Sequence, residues 1–263
     1  MMKFETLDFD RYDAVAVIRM NRPDNANSLN KTMGQELMDV AIECDENPDI
    51  RSVIYTGAGR FFSAGGDLSS FADAGENTPK LLKELTIYLH AALSRFARMD
   101  APVITAVNGI AAGAGFSMAC SGDLSIASEE AKFTMAYTNA GLVPDGSSTH
   151  YVARHIGLRR TQELMLTNRV LTAEEALDWG LINKVVPVGA VMDEAMTLAA
   201  TLSQGPTRTY GFVKDLLLQT FNGSLETQME LEARGIAAAA NTHDGKEGIQ
   251  AFLEKRKPVF TGR

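Results

Sequence analysis

"AAGAGFSMACSGD", residues 111 to 123, sets Gly113 and Gly115 among small residues and then runs without a break into the apolar pattern of a helix. The first amides of a helix have no partner inside it, and side chains this small leave them open to close approach. Two phosphate-binding templates fail here. Gly113, Gly115 and Met118 give G-x-G-x-x-M where the dinucleotide fingerprint needs a third small residue, and no Gly-Lys-Ser/Thr follows as a P-loop requires. "GFSMA" comes near the nucleophile-elbow pattern, but Ala119 replaces its last glycine, so Ser117 reads as a helical serine bonded to its own backbone. What survives is a turn whose N–H groups can receive an oxyanion. A second turn of this type, "FFSAGGDL" at 61 to 68, directly follows a β-like run. One N–H from each, aimed at a common point, would stabilise the enolate or tetrahedral oxygen of a carbonyl substrate, and losing one such donor typically costs ~2.7–4 kcal/mol. Either turn alone reads as a tight connection; the pair carries the argument.

Around these turns, short β-like runs alternate with helical patterns: "AVAVIRM" (14 to 20), "IRSVIYTG" (50 to 57), "PVITAVNG" (102 to 109), "LSIAS" (124 to 128) and "KFTMA" (132 to 136). Helices are expected near 31 to 45 and 80 to 98. The recurring unit is strand, strand, helix, which points to stacked turns of a spiral more than to a doubly wound sheet. From Thr172 the pattern reads as helical, opening with a capping box, Thr172 and Glu175 in "TAEE". Helices follow at 191 to 203, 207 to 220 and 224 to 254, with Gly205-Pro206 in "SQGPTR" as the hinge candidate. The division expected is a core over 1–195 and a helical region over 196–263.

A chain of 263 residues, 45% hydrophobic and 22% charged, can bury a core of one large domain. Its net charge of -8 repels polyanions, which disfavours nucleic-acid and anionic-membrane partners. The longest weakly polar run, near Ile110 to Cys120, falls far short of the ~18 residues of a membrane span, and no signal-peptide pattern opens the chain. The expectation is a cytoplasmic protein with Cys44 and Cys120 as free thiols. His150 and His155 are five apart, on different faces of a helix, and no metal-ligand spacing occurs, so no metal is expected. The basic "EKRKP" (254 to 258) is either a local anion contact or a solvated last helical turn.

Taken in order, "NSLN", "FFSAGGDL", "PVITAVNGIAAGAG", "SGDLSIAS", "AKFTMAYTNAGLVPDGSST", "LTAEEALDWGLINKVVP" and "FLEKRKPVF" resemble the crotonase, or enoyl-CoA hydratase/isomerase, superfamily. The resemblance covers roughly residues 3 to 260. It implies an α/β fold, a crotonase-like spiral of ββα turns with a C-terminal helical trimerisation region. The implied partner is an acyl-CoA thioester substrate, with coenzyme A entering as part of that substrate and no separate cofactor. The implied assembly is a homotrimer or a dimer of trimers. By position, Gly66 and Ala114 carry the two oxyanion N–H groups; a backbone donor tolerates alanine where φ is negative. Asn25, Ala26, Ala64, Asp67 and Leu68 match positions along the coenzyme channel, and Phe252 and Lys255 match C-terminal positions that can reach a neighbouring subunit's coenzyme.

The departures from the family pattern choose the reaction. A hydratase of this superfamily uses two glutamates, and the matching positions here are Ser117 and Tyr137. Asp145 in "GLVPDGSST" stands where some superfamily isomerases place a catalytic aspartate, although "PDGSST" also reads as a turn with Asp145 capping the next helix. The expected activity is isomerisation of a 3-enoyl-CoA to a 2-enoyl-CoA, with Asp145 as the single base. Two alternatives stand beside it. One is a hydrolytic dehalogenase, as in the 4-chlorobenzoyl-CoA branch, or a thioesterase acting on an aryl-CoA, with Asp145 as nucleophile and His90 as base; Tyr137 and Gly66 depart from that branch. The other is a non-catalytic trimeric scaffold.

Overall fold

The computed structural model describes residues 3–263. The chain opens with β1 (Leu7–Tyr12) and β2 (Val15–Met20), then α1 (Lys31–Glu46). Three successive strand pairs follow: β3 (Ser52–Gly57) and β4 (Phe61–Ser63), leading to α2 (Leu68–Ala74) and α3 (Thr78–Arg98); β5 (Val103–Val107) and β6 (Ile110–Ala112), leading to α4 (Ala114–Cys120); β7 (Leu124–Ser128) and β8 (Lys132–Thr134), leading to α5 (Ser148–Thr167). After β9 (Leu171–Thr172), α6 (Ala173–Asp178) and β10 (Lys184–Val186), the chain continues as α7 (Val191–Ser203), α8 (Thr207–Gln219), α9 (Leu225–Asn241) and α10 (His243–Leu253).

The first strand of each pair joins a six-stranded sheet of order β1-β2-β3-β5-β7-β10, and the second joins a four-stranded sheet of order β4-β6-β8-β9. Among the described residues only the β1/β2 and β8/β9 pairings are antiparallel. Each ββα unit therefore places one strand in each sheet before its helix returns, which is the spiral expected from the alternation of patterns.

Period-two alternation sorts the large sheet's side chains between two apolar layers. Val53, Tyr55, Val103 and Val107 face the main core with α1 and α3, while Ile54, Ile104 and Ala106 face α7 through Val191, Ala195 and Ala199. Ile54 and Ile104 are fully buried, and burying a side chain of this size contributes roughly 1.5–3 kcal/mol.

Three expectations need correction. The region after Thr172 is not purely helical: Lys184–Val186 pairs in parallel with Ile126–Ser128 and finishes the large sheet. The expected boundary at 195/196 falls inside α7, whose buried face packs on that sheet; the next helix begins at Thr207, past the Gly205-Pro206 break. The single helix expected over 224 to 254 is two. Thr242, extended at φ -68° and ψ 164°, ends α9 and caps α10 by accepting the Gly245 N–H at 2.9 Å.

The chain's end folds back on the body. Asp244 Oδ1 accepts the Thr261 N–H at 2.8 Å and Oδ2 the Gly262 N–H at 2.7 Å. Glu247 takes the Val259 N–H at 2.8 Å and both terminal nitrogens of Arg256. Arg51 ties the strap to the hinge, donating to the Phe260 carbonyl at 3.2 Å and the Gly205 carbonyl at 2.7 Å.

Candidate active site

The two glycine turns meet. Gly65 sits at φ +97° and Gly113 at φ +53°, ψ -126°, conformations that glycine adopts without a Cβ penalty. A Cβ on Gly65 would lie 2.7 Å from the Ala112 carbonyl oxygen and 3.1 Å from the Ala114 amide nitrogen. The backbones of the two turns therefore approach as closely as glycine allows. The N–H groups of Gly66 and Ala114 donate to no group among the described residues, while those on either side of Gly66 are used: Gly65 N–H bonds Ser63 Oγ and Asp67 N–H bonds the Leu29 carbonyl. Ala114 is absent from the positive-φ positions, so alanine sits there without strain.

Both turns are pinned from behind. Ser63, buried, gives its hydroxyl to the Asn27 carbonyl at 2.8 Å. Asn27, also fully buried, uses its amide to hold the carbonyls of Ala58 and Phe61 and its Oδ1 to accept the Arg22 N–H. On the other side, Gly113 N–H bonds the Thr134 carbonyl at 3.2 Å. Gly115 admits Ser63 from β4, whose carbonyl oxygen would lie 2.2 Å from a Cβ there.

Gly66, Ala114, Ala64, Leu68 and Asp145 line one cavity of about 240 Å³, walled by α3 through Leu82, Leu85 and Leu89 and by the loop carrying Leu142 and Val143. Asp145 is the only carboxylate in that lining. The loop that delivers it turns through Gly141, Gly146 and Ser147, all at positive φ. Asp145 does not cap α5 with its side chain: its carbonyl, not its carboxylate, accepts from Ser148 N–H (3.2 Å) and Ser148 Oγ (2.9 Å). The carboxylate is instead held by Tyr137, whose hydroxyl donates to Oδ1 at 2.5 Å.

Ser117 also departs from expectation. Its bond to its own helix, to the Gly113 carbonyl, is the longest of its contacts at 3.4 Å; it lies 2.8 Å from the Asp145 carbonyl and 3.0 Å from Tyr137 Oη. Burial pushes the Tyr137 phenol well above its ordinary value, and the neighbouring Asp145 charge pushes the same way, so the hydroxyl stays protonated. His90 Nε2 stands 4.0 Å from Asp145 Oδ2 and accepts the Gly146 N–H at 3.2 Å. In this arrangement Nε2 is an acceptor, its lone pair turned to the Gly146 N–H.

The positions expected along the coenzyme channel are less closely grouped. Ala26, in the left-handed region at φ 51°, accepts the Ala64 N–H at 2.9 Å, which draws Asn25 and Ala26 up to the first turn. Asp67 points away from the cavity: it caps α2 through Ser70 N–H and pairs with Arg22 at 3.0 Å. Burial works to raise its pKa, yet hydrogen bonds from Ser69, Arg22 and Ser70 hold it below the usual carboxylate range. Leu68 lines the cavity and is 58% exposed. Phe252, 83% exposed, and Lys255 lie at the end of α10 and line none of this cavity. In the basic "EKRKP" stretch Arg256 is already committed to Glu247 and Glu254. Residue type alone marks neither Gly65 and Gly113 as conformational requirements nor Tyr137 as a partner of Asp145.

Residues 10–263 match the family model described as "Enoyl-CoA hydratase/isomerase". The chain belongs to the enoyl-CoA hydratase/isomerase family. Among curated members it is 38% identical over 250 residues to the 1,2-epoxyphenylacetyl-CoA isomerase of Escherichia coli, covering 95% of each chain. It is 36% identical to a probable enoyl-CoA hydratase of Rhodobacter capsulatus over the full length of both. The crystal structure of an enoyl-CoA hydratase from Polaromonas superposes with a TM-score of 0.92 at 30% identity, covering 97% of this chain and 99% of that one. The spiral is thus the crotonase fold, and the chain is an enzyme-family member whose relatives carry both isomerase and hydratase names.

Proposed function

We propose that this chain is an acyl-CoA thioester isomerase that moves a double bond from position 3 to position 2 through an enolate. The observation that carries the reading is the cavity itself: two unpaired amides, from Gly66 and Ala114, share it with one carboxylate and no other acid. Asp145 takes a proton from C2, the electron pair of that C–H bond delocalises onto the thioester oxygen, and the two N–H groups bind the resulting oxyanion. The carboxylic acid then returns the proton to C4, which leaves the double bond between C2 and C3. One base suffices for both transfers, and general acid–base catalysis of this kind contributes ~10²–10⁴-fold. Hydration is disfavoured because Ser117 and Tyr137, at the positions of the family's two glutamates, are hydroxyls that stay protonated. Coenzyme A enters with the substrate along Asn25, Ala26, Ala64, Asp67 and Leu68, and the leucines of α3 receive the acyl group. Phe252 and Lys255 serve a neighbouring copy in a trimer or dimer of trimers.

The test is a spectrophotometric assay with 3-enoyl-CoA substrates of several chain lengths. The wild type should form the conjugated thioester, and Asp145→Asn should lose at least ~10²-fold in kcat. No turnover at any chain length, or full activity in the variant, overturns the reading. The 4.0 Å approach of His90 to Asp145 favours a second reading, hydrolytic dehalogenation of a halogenated aryl-CoA, in which Asp145 displaces halide from the ring to form an aryl ester and water activated by His90 hydrolyses that ester, returning the carboxylate. That reading requires label from solvent water to pass through Asp145 in a single turnover.

A further inference from the structure

Resting on the isomerase reading, the geometry points to Tyr137 as the positioning residue that fixes the orientation of the base Asp145, with Ser117 as the brace that ties α4 to this pair. The proton inventory of the cluster leads there. Tyr137 and Ser117 bring one hydroxyl proton each, and the Asp145 carboxylate brings none. The phenol proton goes to Oδ1, 2.5 Å away. The Ser117 proton goes to Tyr137 Oη at 3.0 Å or to the Asp145 carbonyl at 2.8 Å, and either choice ties α4 to the Asp145 loop. Oδ2 accepts no hydrogen bond among the described residues. The nearest titratable nitrogen, His90 Nε2 at 4.0 Å, presents a lone pair already shared with Gly146 N–H and so offers Oδ2 no proton.

Oδ1 is therefore already engaged by a hydrogen bond, and Oδ2 is the carboxylate oxygen with no hydrogen bond among the described residues. A carboxylate clamped on one oxygen cannot rotate the other away from the substrate carbon, and the same oxygen that takes the proton from C2 is the one left to deliver it to C4. Ser117 is fully buried and Tyr137 packs against the main core, so the clamp is held from behind by the fold rather than by substrate. Misplacing a reacting group by about 1 Å costs on the order of 10²-fold in rate. Tyr137 touches no reacting atom in this scheme and acts only through Asp145.

Tyr137→Phe keeps the ring and removes the clamp. With a 3-enoyl-CoA substrate it should lower kcat ~10²-fold while KM changes less than about threefold, because the lost contact serves the transfer and not binding. Ser117→Ala, which removes only the brace, should lower kcat by less than Tyr137→Phe does. A readout independent of turnover is the exchangeable proton of the short Tyr137–Asp145 bond, expected as a downfield proton resonance in the wild type and absent from both Tyr137→Phe and Asp145→Asn. Wild-type kcat in Tyr137→Phe, a loss confined to KM, or a resonance that survives the substitution overturns the proposal. Absence of any isomerase turnover sinks the isomerase reading instead, and the resonance then decides by itself whether the clamp exists.

Discussion

At Gly65 the absence of a side chain is enforced by a neighbour far away in sequence, Ala112. Its φ of +97° already favours glycine, but the sharper constraint is the Ala112 carbonyl, 2.7 Å from where a Cβ would sit. Gly65→Ala should push the two turns apart and misalign one amide donor, lowering kcat by ~10²–10³-fold. Gly75→Ala is the control for strain alone, since Gly75 also has a positive φ but meets nothing within 4 Å. Kinetics on both variants, with melting curves to confirm folding, checks this; equal losses in the two would refute it. At this scale the sequence was legible where a residue type carries the message. That Gly66, Ala114 and Asp145 line one cavity agrees with small-residue turns and a family pattern that are visible in the sequence. Gly65 and Tyr137 are not marked in that way, because a backbone dihedral is not written in a residue's name, and Tyr137, Ser117 and Asp145 meet only after α4 and two loops have folded.

Among the elements, the strap formed by the last residues has a pH dependence that follows from its acids. Hydrogen bonds from Arg256 and the Val259 N–H hold Glu247 down at about 2, against an ordinary value of 4.5. Burial works to raise Asp244, but the amides of Thr261 and Gly262 with His243 hold it below the usual carboxylate range. Carboxylates depressed in the folded state stabilise it fully above their unfolded values and lose that contribution as pH falls. The strap should therefore be intact at neutral pH and loosen between about pH 4.5 and 2. Hydrogen exchange at the Val259 amide is the measurement: protection should fall across that window in the wild type, and Glu247→Gln should show reduced protection already at pH 7. Unchanged protection in the variant would remove Glu247 from the strap. The break between α9 and α10 belongs to the same scale. Thr242 three residues before Gly245 is a cap signal, yet it lies within an unbroken helical pattern, and periodicity hid it.

For the molecule as a whole, the spiral could be read in advance because each turn repeats the same alternation of short apolar runs and helix. The strand β10 could not, since three residues are too few to show a period of two. The helices beyond the hinge expose Leu217, Phe221, Leu225, Met229, Ile236 and Phe252, an apolar surface of the kind that marks an association site. Light scattering should give a mass of three or six times 28.4 kDa, and Ile236→Glu should shift it toward a single chain; a monomeric wild type would refute the trimer. The tail is also tied to the body of its own chain. Lys214 of α8, nearly buried, points its ammonium at the carbonyls of Phe96 and Ala101 and pairs with Asp123 at 2.9 Å. The Phe96 carbonyl lies in the last turn of α3, whose leucines wall the cavity, and the Ala101 carbonyl lies just past that helix's end. An enzyme trimmed at Gly205 would strand two acceptors and an anion without their cation, so the hinge marks a bend in the path of the chain and not a seam along which catalysis could be cut loose.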